Sequence, residues 1–150
     1  MDQPYRILCP TDFSKTSLEA LRYACRLARK LDAQIELLHV HHAPLQEATV
    51  GAPREVSDLD QSLRQQLEAE LGKARSDLGP LCEGLQISTR LEVGTPYVVI
   101  CNRASSEGAD LVVMATLGRT GLAHLLLGSV TERVLRICEV PVLTVRVQAD

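Results

Sequence analysis

Tryptophan is absent from this 150-residue chain, and aromatic side chains make up only 3% of it. That removes the stacking platforms on which single-strand nucleic-acid binders rely. Positive charge is not in excess either: 16 Lys and Arg stand against 19 Asp and Glu, a formal net charge of -3. The chain therefore lacks the electrostatic footprint of a phosphate-backbone binder, and no nucleic acid is expected as a partner. No run approaches the ~18 apolar residues of a membrane span. Met1-Asp2-Gln3-Pro4-Tyr5-Arg6 contains no apolar signal core, so a cytoplasmic protein without membrane contact is expected.

Paired cysteines are missing too. Cys9, Cys25, Cys82, Cys101 and Cys138 are scattered without any C-x-x-C spacing. An odd, unspaced set argues for reduced thiols rather than a disulfide framework or a zinc site. Four of the five sit in apolar segments, where a free cysteine serves as a small buried hydrophobe. Catalytic groupings are equally lacking. No Ser-His-Asp, Cys-His or metal-bound-water arrangement can be drawn, and the glycine-bearing loop after Met114 has no Walker lysine. Binding is expected, with hydrolysis slow at most. What the chain does have is 45% hydrophobic residues, enough for one compact domain, 1–150, with a sizeable core.

Along the chain, Arg6-Ile7-Leu8-Cys9-Pro10 reads as a buried strand stopped by proline. The polar turn Thr11-Asp12-Phe13-Ser14 precedes a helix with Ser14 as N-cap and Leu18, Leu21, Cys25, Ala28 and Leu31 on its apolar face. Gln34 to His41 reads as a second strand, parallel to the first because a helix connects them. His42 to Glu55 has two prolines, a glycine and no periodicity, which fits a long surface loop or a flap beside a ligand. A second helix is predicted from Ser57, with Asp60 completing a capping box and Leu59, Leu63, Leu67, Leu71, Ala74 and Leu78 on one side, ending at Gly79-Pro80. Leu85 to Val93 alternates apolar with polar, the pattern of an edge strand. Thr95 then caps a helix with Pro96 at its first position and Gly108 behind its end. Ala109 to Met114 is a buried strand. A last helix closes by Glu139, and Val140 to Val147, with Pro141 near its start, reads as a final edge strand.

Five strands alternating with helices predict an α/β protein: a single open five-stranded parallel sheet, order 3-2-1-4-5, with helices on both faces. In that order the winding reverses between strands one and four, where open α/β sheets take their ligands. Asp12 follows strand one, and the stretch from Met114 to Ser129 follows strand four, so two remote segments meet at one crevice. The second of them ends in Gly128-Ser129 at a helix start, with Glu132 placed to complete a capping box on Ser129. The first N–H groups of a helix lack internal partners and its dipole favours an anion there, while a glycine lets a phosphate come close to the backbone.

The residues Cys9-Pro10-Thr11-Asp12-Phe13-Ser14, Leu38-His39-Val40 and Gly118-Arg119-Thr120-Gly121 through Gly128-Ser129-Val130 make the whole chain resemble the universal stress protein family. ATP-binding members of that family carry G-x2-G-x9-G-[ST]. Here Gly118 and Gly128-Ser129 keep the nine-residue spacing, and Ala115 stands at the first glycine. The resemblance implies a Rossmann-like, adenine nucleotide alpha hydrolase-like fold that binds ATP, or AMP or ADP, in stress response. It implies that Asp12 and the backbone at Val40 hold the adenine edge, with Pro10 and Thr11 lining that end. Met114, Ala115 and Gly118 would flank the adenosine, and backbone amides around Gly118, Arg119, Gly128, Ser129 and Val130 would hold the phosphates. Mg2+ would enter through phosphate oxygens. Ala115 is tolerable at a negative backbone angle and costly at a positive one.

Plainer roles compete with these. Asp12 can simply cap its turn, His39 can be a satisfied core histidine, and His41-His42 a solvated pair without the third ligand that a metal needs. A regulatory dimer that holds no nucleotide is the competing function; a flavin carrier is disfavoured because no aromatic ring is placed to cover the flavin. In either functional reading Val142 to Val147 forms an apolar edge that soluble proteins must protect, and a homodimer through that strand would cover it.

Overall fold

The computed structural model describes residues 3–42, 55–116 and 127–147. The elements run β1 (Arg6–Pro10), α1 (Lys15–Leu31), β2 (Gln34–His42), α2 (Gln61–Ser76), β3 (Ile87–Gly94), α3 (Pro96–Ser106), β4 (Leu111–Ala115), α4 (Ser129–Ile137) and β5 (Val142–Val145). Short 3-10 turns at Val56–Asp58 and Gly79–Cys82 flank α2. The sheet has the predicted order, β3-β2-β1-β4-β5. Every neighbouring pair is parallel, with Ile7 level with Ile35 on one side and with Leu111 on the other.

The side-chain alternation of the strands divides the core into two layers. On one face Ile7, Cys9, Ile35, Leu37 and Val113 pack against Leu21, Cys25 and Ala28 of α1 and Leu67, Leu71 and Ala74 of α2. On the other, Leu8, Leu38, Val40, Val112 and Met114 pack against Ile100, Cys101 and Ala104 of α3 and Val134 of α4. β1 and β4 are buried nearly throughout, as central parallel strands must be. β3 is an edge strand, with Ser88, Thr89 and Arg90 exposed.

Several helix ends differ from the sequence expectation. Ser14 does cap α1, accepting from Ser17 N, but Leu31 is 44% exposed because the chain turns out of the helix at Asp32, which has a left-handed φ of 52°. Ser57 does not cap α2. A 3-10 turn intervenes, whose capping box is formed by Glu55 and Asp58, and Asp60 caps the helix proper through Ser62 N. Thr95 is the N-cap residue of α3 but its hydroxyl makes no cap bond; Pro96 at the first position needs none for its own nitrogen. Ser129 is the first residue of α4 rather than its cap, a role that falls to Gly128 with no capping side chain. The last helix ends at Ile137, short of Glu139. Of the segment from His42 to Glu55, where the sequence predicts a loop, His42 ends β2 and Glu55 precedes the 3-10 turn, while residues 43–54 lie outside the described residues.

Candidate nucleotide site

β1 and β4 lie side by side, yet the chain leaves β1 toward α1 on one face and β4 toward α4 on the other. A crevice opens at their carboxyl ends. It holds a cavity of about 260 Å³. Of the expected site residues, Pro10, Thr11, Asp12, Val40, Met114, Ala115, Gly128, Ser129 and Val130 all line it. Gly118 and Arg119 lie outside the described residues, as do Gly121 and His124.

The floor on the β1 side is held by a chain of hydroxyls. Thr11 is buried, and its N–H donates to Leu38 O at 2.8 Å. Its Oγ1 accepts from Phe13 N at 3.0 Å and lies 2.9 Å from Ser17 Oγ. Ser17 Oγ in turn donates to Ser14 O at 2.9 Å, so the Thr11 hydroxyl is the donor in the Thr11–Ser17 pair. Asp12 caps its turn. Its Oδ1 accepts from the N–H and the hydroxyl of Ser14, fixing the turn, and the residue also lines the cavity.

His39 braces this loop from beneath. Thr11 O can only accept, so the imidazole Nδ1 that meets it at 2.8 Å carries the hydrogen. The ring also stacks on Phe13, with centroids 4.4 Å apart. Phe13 holds a left-handed φ of 66°, an uncommon angle for a bulky residue that packing must maintain. Burial is the main reason the imidazole pKa falls below its ordinary 6.5, with His41 adding to the effect and the Thr11 carbonyl, Asp12 and Glu70 opposing it. His39 is thus half-buried and satisfied at Nδ1, as the plainer of its two expected roles requires.

The α4 side supplies the amide end. Gly128, with φ −69° and ψ 155°, leaves the first turn without a side-chain cap, and Ser129, Val130 and Thr131 border the cavity. Gly128 N donates to Thr116 O, Thr116 N to Val145 O, and Thr131 Oγ1 to Ala115 O at 2.9 Å. Ala115 itself is the last residue of β4 and is not among the positive-φ residues. Its methyl therefore costs the backbone no strain.

Residues 5–146 match the universal stress protein family. The chain belongs to that family. The universal stress protein MJ0531 of Methanocaldococcus jannaschii is 36% identical over 143 residues, spanning 94% of this chain and 81% of the relative. MJ0577 of the same organism is 30% identical over 152 residues, 94% of each chain. Its solved structure superimposes with a TM-score of 0.77 over 97% of both chains, at 28% identity. A universal stress protein from Archaeoglobus fulgidus, solved in complex with dAMP, shares the fold: TM-score 0.67, 20% identity, 96% of this chain and 98% of that one.

The sequence expectation missed five residues that complete the family fold's crevice here: Ser17, Leu38, Pro96, Ile100 and Thr131. Two of them carried a signal. Leu38 is two residues before Val40 on a strand, hence on the same face, and Thr131 is three residues into a helix start. Pro96 and Ile100 reach the crevice only because α3 packs over β2, which tertiary structure decides. Among the described residues no group of three His, Cys, Asp or Glu side chains could hold a metal ion. Nor is any helix among them long and apolar enough to cross a membrane.

Proposed function

We propose that this universal stress protein binds an adenine nucleotide, ATP or its shorter relatives, in the crevice between β1 and β4. The observation that carries the reading is the pairing of two unlike walls. Leu38, Val40, Ile100 and Met114 make an apolar wall suited to a base and sugar. Beside it stands the start of α4, whose cap residue Gly128 offers its first turn no side-chain hydrogen bond and whose dipole favours an anion. A cavity of about 260 Å³ is smaller than the roughly 300 Å³ at which whole-ligand pockets begin, so the phosphates run out along α4 toward solvent. The dAMP complex of the Archaeoglobus relative supports this at the level of the fold.

Asp12 and the Val40 backbone hold the adenine edge in this reading, and Gly118 and Arg119 join Gly128, Ser129 and Val130 at the phosphates. Mg2+ is held by phosphate oxygens and water, in keeping with its reluctance to dehydrate and with the donor set of the described residues. In this reading nucleotide state acts by biasing conformation or partner choice in stress response, with hydrolysis slow at most. β5 is an edge strand beside a groove lined by Tyr23, Arg26, Leu143 and Val145. Pairing with the same strand of a second copy gives a twofold dimer, in a cytoplasm that keeps the five free cysteines reduced.

Native mass spectrometry of the purified protein, followed by calorimetry with ATP, ADP and AMP, tests the reading. Saturable one-to-one binding with release of heat is expected. Absence of both heat and thermal stabilisation at millimolar nucleotide would overturn it.

A further inference from the structure

Two cysteines that play no part in the crevice meet on the far side of its walls. Cys101 lies on the inner face of α3 and is 8% exposed. Cys138 is the C-cap of α4, its N–H held by Val134 O at 2.9 Å, and it is only half-buried. Both belong to the apolar layer that α3 and α4 share over Leu8 and Val112, and there the Cys138 thiol is close enough to act electrostatically on that of Cys101. The other thiols are placed differently. Cys9 and Cys25 are fully buried, and the Cys82 thiol donates to Gly79 O at 3.0 Å.

We infer that Cys101 and Cys138 form an oxidisable dithiol, a modification site that a peroxide converts to a disulfide joining α3 to α4. Cys138 is the thiol that solvent reaches. Its sulfur attacks one peroxide oxygen, the O–O bond breaks, and the other oxygen leaves as hydroxide to be protonated to water, giving a sulfenic acid. The Cys101 sulfur then attacks the Cys138 sulfur. The S–O bond breaks, the second oxygen departs as water, and the thiol proton goes with it. Two thiols and one hydrogen peroxide yield one disulfide and two waters. Closing the two sulfurs to about 2.05 Å requires their Cβ atoms to come within about 3.5–4.5 Å of one another.

Burial, reinforced by the neighbouring Cys138, pushes the Cys101 thiol up to about 12. Its thiolate is therefore scarce at neutral pH, and the second step quickens as the solution becomes alkaline. The bond would fix the separation of two helices that both wall the crevice, α3 through Pro96 and Ile100 and α4 through Ser129 and Val130. Formation of the disulfide does not depend on what the crevice holds.

Trypsin leaves the five cysteines on five different peptides, with Cys101 on residues 91–103 and Cys138 on 137–146. The reduced full chain is treated with a small excess of hydrogen peroxide, alkylated, digested without reductant and read by mass spectrometry. The expected result is a linked 91–103/137–146 species lighter than the two peptides by two hydrogens. It should be absent from Cys138→Ser and form faster at higher pH. Four results would overturn the proposal: both thiols alkylated after treatment, Cys138 carrying two or three added oxygens while Cys101 stays free, a disulfide confined to another cysteine pair, or a linked species that forms only between two chains.

Discussion

Thr131 Oγ1 donates a 2.9 Å hydrogen bond to Ala115 O, joining the first turn of α4 to the last residue of β4. The two ends of the glycine-bearing stretch are thus pinned together beneath the crevice. Thr131 is 4% exposed and Ala115 7%, so neither group has ready access to water in compensation.

Replacing Thr131 by Val keeps the shape and deletes the donor. Leaving a buried carbonyl short of a partner costs about 1–3 kcal/mol, and the start of α4 is freed from β4. Urea unfolding should show that loss for Thr131→Val. Thr131→Ser, which keeps the hydroxyl, should recover most of it. If the crevice binds nucleotide, affinity falls in the Val variant and returns in the Ser variant. Equal stability of wild type and Thr131→Val would show that the bond carries no weight.

Gly128 offers a change with opposite signs in two measurements. Its φ of −69° is open to any residue, and aspartate at an N-cap outranks glycine by a few tenths of a kcal/mol. Gly128→Asp should therefore raise the unfolding midpoint slightly. The same carboxylate would occupy the amides at the start of α4 and repel a phosphate there, so ATP affinity should drop sharply. A variant that binds ATP as tightly as the parent would place the phosphates elsewhere.

The strand order was legible because hydrophobic periodicity switches cleanly between two and 3.6 residues along the chain, and helical connections force parallel pairing. The crevice was legible from the same topology, since Asp12 and Gly128 must sit at the carboxyl ends of adjacent strands. Helix ends were less so. Ser57 and Ser129 both precede an acidic residue by three positions, yet in the fold Asp60 and Gly128 take the caps, because packing of the flanking segment decides which residue turns. The contribution of α3 to the crevice, and the meeting of Cys101 with Cys138, depend on how two helices lie on one sheet face. No local spacing encodes that.

His39 makes stability depend on pH. In the fold its pKa lies below 6.5, chiefly through burial, so on acidification the unfolded chain takes up the proton first. Stability is whole above about pH 6.5, drains away as pH falls beneath it, and levels off only below the folded-state pKa. Urea midpoints measured from about pH 8 down to pH 5 should decline more steeply for wild type than for His39→Gln, which cannot titrate. The variant should also be weaker at neutral pH, having lost the stack on Phe13. Parallel pH curves for the two proteins would remove His39 as the source of the slope.

Arg103 reaches from α3 across the sheet face to Glu36 on β2, with Nε to Oε1 at 2.7 Å and Nη2 to Oε2 at 2.9 Å. The side chains are 15% and 26% exposed, and Glu92 and Glu107 also face the guanidinium. Replacing Arg103 by Met leaves the carboxylates without their cation. A fully buried pair broken this way costs about 3–5 kcal/mol; the partial exposure of Glu36 brings the expected loss down to about 1–3 kcal/mol. Pairing the change with Glu36→Met removes the stranded charge and should restore much of the stability, since an apolar pair has no desolvation cost. The double-mutant cycle, read from urea midpoints at low and high salt, checks both steps. Additive losses would mean that Arg103 and Glu36 act independently, and a coupling that vanishes at high salt would mean that solvent, not the fold, sets the strength of the pair.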